Sequence, residues 1–261
     1  MKNKKIAVVV SSWHFPEGFY KPMINQVVPK GWEVEYFCVS HRDSAHAIEE
    51  KKNDVFPDNK RGELDKRLYS KILTVSEIEA LGWKYKGYPN TIGDWGNSNQ
   101  WLEDNDWKKY DLFLFTHDDN LILRDSLFVD IIEDENFKKW DILCNSTGMP
   151  KGSIRGSFEF FKKSVIKKLG GKFDLSEVTL TREGMTTASN EVTELYDWNS
   201  TVYPLTRFVE KEKLSVGFLS PAYRVSFYCI EGERGYIYKT HGQNTAEEEM
   251  GLEFLTQNKL I

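Results

Sequence analysis

The chain has 261 residues, 40% of them apolar, with 35 basic against 40 acidic side chains and a formal charge of −5. That is enough apolar material to bury a sizeable core, which argues against disorder, and the negative sign is wrong for gripping a phosphate backbone, so no nucleic-acid partner is expected. Cys38, Cys144 and Cys229 stand far apart without CxxC spacing, which implies a reducing compartment, no disulfide framework and no zinc site.

In chain order, the basic start from Met1 to Lys5 leads into an apolar run, Ile6 to Val10, that is too short for a signal-peptide core or a membrane span. A cytoplasmic protein without a transmembrane segment is expected. Ile6 to Ser11 reads as a strand buried on both faces of a parallel sheet, Trp13 to Gly18 as a break, Tyr20 to Val28 as a helix and Trp32 to Val39 as a second strand. This is a βαβ opening. Ser44 to Lys71 is charged and reads as surface helix and loops, Lys71 to Leu81 as a strand and short helix. Gly82 to Trp101, dense in Gly, Asn and aromatics, is expected to lack regular structure. Cys38 and Cys144 sit in strand-like runs and read as small buried hydrophobes.

Asp111 to Leu123 is the most informative segment. The strand Leu112-Phe113-Leu114-Phe115 runs into Thr116-His117-Asp118-Asp119-Asn120 before Leu121-Ile122-Leu123 resumes. In open α/β sheets ligands bind at the carboxyl ends of strands, and carboxylates there are hard ligands suited to Mg²⁺ or Mn²⁺. A polar turn between two strands is the competing interpretation of an Asp-Asp pair.

This strand and acidic cluster resemble the His-Asp-Asp variant of the DxD signature of GT-A glycosyltransferases, in particular family-two-like enzymes. Further segments match in order: Ser11-Ser12 after the first strand, Val34 to Asp43 for the strand that ends at the base, and Gly93-Asp94-Trp95-Gly96-Asn97-Ser98-Asn99 before the acidic strand. Arg155 to Ser164, with Leu169-Gly170-Gly171-Lys172-Phe173-Asp174, resembles the acceptor-side strand, helix and turn. Asn190-Glu191-Val192-Thr193-Glu194-Leu195 stands where a Glu-Asp pair usually supplies the catalytic base, and Tyr236 to Gly242 resembles a late strand ending in a metal-binding His.

The resemblance implies an α/β, GT-A (Rossmann-like) fold with a mostly parallel central sheet flanked by helices. It implies one domain over 1–261, with a nucleotide-sugar half at 1–123 and an acceptor half at 124–261. It implies a nucleotide-sugar donor (a UDP-, GDP- or dTDP-sugar), a glycan or other hydroxyl acceptor, and a divalent cation, Mn²⁺ or Mg²⁺. Asp119 is the expected principal metal ligand, Asp118 a second ligand or a ribose contact, and His241 the third ligand. Glu191 is the expected general base with Glu194 in reserve, for inversion; a retaining route stays open. Ser11, Ser12, His41, Asp94 and Arg155 are expected donor contacts, and His14 and His117 stand at strand ends beside them. The base motif here reads Asn-Glu instead of Glu-Asp, and Ser40-His41-Arg42-Asp43 replaces the usual acid after the second strand. A non-catalytic nucleotide- or glycan-binding protein is the alternative. A sugar nucleotidyltransferase is more distant because Ser11 to Gly18 holds no basic Gly-rich loop, and the missing GxGxxG disfavours a dinucleotide dehydrogenase.

Overall fold

The computed structural model describes residues 3–89, 93–134, 138–144, 147–148, 153–154, 158–175, 205, 208–218, 227–230 and 234–239, with 253, 256, 257 and 259 near the C-terminus. The Val/Ile run forms β1 (Lys4–Ser11), and α1 (Glu17–Ile24) carries the chain to β2 (Trp32–Ser40), which pairs with β1 in parallel. The charged stretch that follows folds as α2 (Ser44–Lys51) and α3 (Lys60–Tyr69), capped by the Asp43 and Asn59 side chains.

Two segments differ from expectation. Between Lys71 and Leu81 the extended part is a single bridge, Ile72 to Pro16, and the regular element is α4 (Val75–Ala80), started by a Thr74/Glu77 capping box. Gly82 to Trp101 is largely regular: it contains β3 (Lys84–Gly87) and most of α5 (Gly93–Asp104). Then come β4 (Leu112–His117), β5 (Asn120–Ile122), α6 (Leu127–Glu133), β6 (Ile142–Cys144), β7 (Thr147–Gly148) and β8 (Ser153–Ile154). The remaining elements are β9 (Phe158–Lys162), α7 (Lys163–Lys168), β10 (Val216–Phe218), β11 (Phe227–Ile230) and β12 (Arg234–Lys239).

The main sheet has seven strands in the order β10-β6-β9-β4-β1-β2-β3; all pairings are parallel except those of β9, which is antiparallel to β4 and β6. A three-stranded sheet, β11-β12-β5, stands apart from it. Alternation along β1 divides the core in two. Ile6, Val8 and Val10 face Phe19, Tyr20 and Met23 of α1, Leu64 and Leu68 of α3, and Phe128 and Ile131 of α6. Ala7 and Val9 face the opposite side, with Trp101 and Leu102 of α5 and Val165 and Ile166 of α7. Helices therefore cover both faces of a mostly parallel sheet, the α/β class expected. Cys38 and Cys144 are fully buried, as expected, and burial pushes the Cys38 thiol up to about 12. Among the described residues no helix is long and apolar enough to cross a membrane.

Candidate active site

The carboxyl ends of β1, β2 and β4 lie side by side, because Ser11 is in register with both Val39 and His117. Directly beyond them Asp118, 1% exposed, organises the loop that follows β1. Its Oδ2 accepts from Ser12 Oγ at 2.6 Å and from the backbone N–H groups of Trp13 at 3.1 Å, His14 at 2.9 Å and Phe15 at 2.7 Å. Burial pushes this carboxyl up, opposed by the Ser12 hydroxyl and the loop N–H groups. Phe15 holds a φ of 53°, a left-handed conformation that is costly for a bulky side chain. It is held there by Asp118 on one side and by the Leu73 N–H on its carbonyl, 2.8 Å, on the other. The strain sits in the loop between β1 and α1.

The end of β2 supplies a second polar group. His41 Nδ1 lies 3.2 Å from Asn97 Nδ2 of α5, and its ring meets Trp13 edge-on at 5.4 Å. Arg42, buried, stacks its guanidinium 4.5 Å from the centre of the Trp13 ring and pairs with Glu50.

Between these groups and β9 an open depression of about 230 Å³, solvent space included, is walled by Ser11 and His117 at the strand ends and by Trp95 and Ser98 of α5. Glu159 of β9 completes the wall at 1% exposure. Its position follows from register: Glu159 pairs with Phe115, two residues before His117. Asp119, 9% exposed, follows Asp118 at the end of β4. The next residue, Asn120, is fully buried; its Nδ2 donates to the His117 carbonyl at 2.9 Å while its Oδ1 has no hydrogen-bond partner among the described residues. Carboxylate and amide oxygens thus follow one another in the chain here, the donor type that a hard divalent cation takes. Among the described residues, however, no three His, Cys, Asp or Glu side chains converge into a metal-holding group by themselves.

Ser11, Ser12, His41, Asp118 and Asp119 are therefore brought to one end of the sheet, with His14 and His117 beside them. The Asp94 side chain, Arg155, Glu191, Glu194 and His241 lie outside the described residues. Sequence reasoning assigned no role to Glu159, although an acid inside the Phe-rich run Phe158-Glu159-Phe160-Phe161 is a signal. Arg42 and Trp13 had none that pattern could reveal, since their contact depends on how two loops meet.

No family model matches the sequence, and no curated protein does. Among solved structures the chain is similar to a mannosyltransferase from Pyrobaculum calidifontis in complex with GDP-Man and Mn²⁺, at 11% identity over 84% of this chain and 55% of that one, TM-score 0.43. It is also similar to residues 1–349 of S. aureus TarS, at 13% identity over 91% and 60%, TM-score 0.46. A third is the catalytic domain of Drosophila beta1,4galactosyltransferase 7 in complex with xylobiose, at 11% over 95% and 79%, TM-score 0.42. The chain spans between 50% and 60% of the length of the first solved chains it matches.

Proposed function

We propose that the chain is a GT-A-type glycosyltransferase that moves a sugar from a nucleoside-diphosphate donor to an acceptor hydroxyl. The observation that carries this is the buried Asp118–Asp119 pair at the carboxyl end of a central parallel strand, beside a polar cleft and a loop already held in place. Such a strand end is where an open α/β sheet takes its ligand.

The two acids divide the work. Asp118 spends Oδ2 on the β1–α1 loop and so shapes the donor site, while Asp119 is the principal ligand of a divalent cation, helped by the Asn120 side-chain oxygen. A bound cation would neutralise the charge that develops on the departing diphosphate. His241 is the third ligand in this proposal. What supports it is the register of β12, which sets Lys239 opposite Asn120, two residues before His241 in the chain. Ser11, Ser12 and His41 hold the donor, and Glu191 takes the acceptor proton, with Glu194 in reserve. Glu159, which lines the cleft, accepts a hydroxyl of a bound sugar.

The test is a thermal-shift series with UDP-, GDP- and dTDP-sugars, each with Mn²⁺ and with EDTA. A donor at a hundred times its Kd should stabilise the fold by about 2.7 kcal/mol, in one nucleotide family and only with metal. Metal-dependent release of nucleoside diphosphate in the presence of acceptor then separates turnover from mere binding. No shift with any donor would overturn the proposal; a shift without release would leave a binding protein.

A further inference from the structure

The cleft beside the acids has a composition of its own. Side chains alternate between the two faces of a sheet, so Ser11 of β1, Phe115 and His117 of β4 and Glu159 of β9 all stand on the face that α5 covers, with Phe113 and Phe161 in the core behind them. Where that layer of the core ends, at the carboxyl edge of the sheet, the cleft opens. Helix α5 closes it with Trp95 and Ser98, three residues apart and therefore on one side of the helix.

Trp95 is half-buried, and its place is fixed from behind. Its ring centre lies 4.7 Å from that of Phe173, which also meets Phe115 at 5.6 Å and Phe161 at 5.7 Å. The Phe173 backbone is tied to α5 in both directions by Asn99: its N–H donates to Oδ1 at 2.7 Å and its carbonyl accepts from Nδ2 at 2.9 Å. An indole packed in this way has little rotamer freedom left to lose when a ligand settles against it from the cleft.

We propose that Trp95 is the platform on which the sugar of the donor stacks, with Glu159, Ser11 and Ser98 around the ring to fix its hydroxyls. This rests on the proposed function and adds the residue that reads the sugar. The apolar C–H face of a pyranose matches an indole. Its rim of hydroxyls, each both donor and acceptor, matches a carboxylate, which only accepts, beside serine hydroxyls, which do either. A diphosphate is disfavoured against Glu159, since like charges repel. The strand order β9-β4-β1-β2 sets Asp119, which follows β4, between this subsite and His41 at the end of β2. The diphosphate then lies in the middle, with the sugar towards β9 and the nucleoside towards β2.

The experiment is calorimetric titration of the full chain, with Mn²⁺, by a nucleoside diphosphate and by its sugar: UDP against UDP-glucose, GDP against GDP-mannose, dTDP against dTDP-glucose. In the pair that binds, Trp95→Ala is expected to raise the Kd of the nucleotide-sugar by about tenfold and to leave that of the bare nucleoside diphosphate within about twofold. Trp95→Phe, which keeps a ring, should recover most of the loss. Should Trp95→Ala not fold, Trp95→Leu, apolar but without a flat face, carries the same expectation. Equal losses for both ligands would overturn the proposal in favour of base stacking or a merely structural tryptophan, and so would no loss for either. If no nucleotide binds the parent chain, it is the glycosyltransferase reading that fails. The platform is then read by saturation-transfer NMR with methyl glucoside, methyl mannoside and methyl galactoside. Ring-proton signals in the parent that vanish in Trp95→Ala would uphold it, and none in the parent would overturn it.

Discussion

At Asp118, four donors meet one carboxylate oxygen and tie that acid to the loop after β1. Hydrogen bonds to an ionised group are the strong ones, and replacing Asp by Asn sets an amide against N–H groups that need an acceptor. Asp118→Asn should therefore destabilise the fold by about 2–3 kcal/mol, read by urea or thermal unfolding. Asp119→Asn should remove the metal-dependent donor shift in a chain that still folds. If the two variants exchanged these phenotypes, the division of labour between them would be wrong. The pair was legible in the sequence because acids ending an apolar strand are chemically conspicuous. Their division was not, since it depends on the turn of the Ser12–Phe15 loop towards Asp118, more than a hundred residues away in the chain.

Among the elements, the misread segment is instructive. Gly, Asn and Ser between Gly93 and Asn99 signal a loop, yet they open α5. The polar side chains there have tertiary partners: Asn99 Oδ1 accepts from the Phe173 N–H at 2.7 Å, Asn99 Nδ2 donates to the Phe173 carbonyl at 2.9 Å, and Asn97 meets His41. Long-range hydrogen bonds override weak helix propensity, which no local pattern contains. By contrast β1, β2 and β4 were legible because strands buried on both faces must be apolar throughout. Close packing places α1, and with it the loop that leads into it. A Cβ on Gly18 would lie 2.5 Å from the Arg67 carbonyl oxygen of α3, which is backbone and cannot swing away. Gly18→Ala should cost about 1–3 kcal/mol and weaken donor binding as well, through displacement of α1. Full retention of both would show that the two helices can part freely.

The far end of β2 answers to pH. Glu35 receives Lys84 Nζ at 2.6 Å, Lys5 Nζ at 3.1 Å and the Tyr110 hydroxyl at 3.1 Å, tying β1, β2 and β3 to the chain entering β4. Burial alone would raise its carboxyl, but hydrogen bonds from Lys84, Lys5 and Tyr110 bring it down to about 2. A depressed folded value means that this contribution is complete above the ordinary carboxylate range and is lost as pH falls towards 2. Unfolding midpoints measured from pH 5 down to 2 should therefore fall less steeply in Glu35→Gln than in the parent. Parallel curves would mean that the network contributes nothing.

Over the whole molecule, the main sheet carries the candidate site at its carboxyl end, where Asp118 and Asp119 follow β4 next to a cleft that Glu159 lines. The strands behind it are packed on both faces by the two halves of the core. A domain built around one such sheet should unfold as a unit, so donor with Mn²⁺ should raise a single cooperative transition, by more as donor concentration rises. Two transitions, of which donor moves only one, would show that the two sides of the sheet unfold separately.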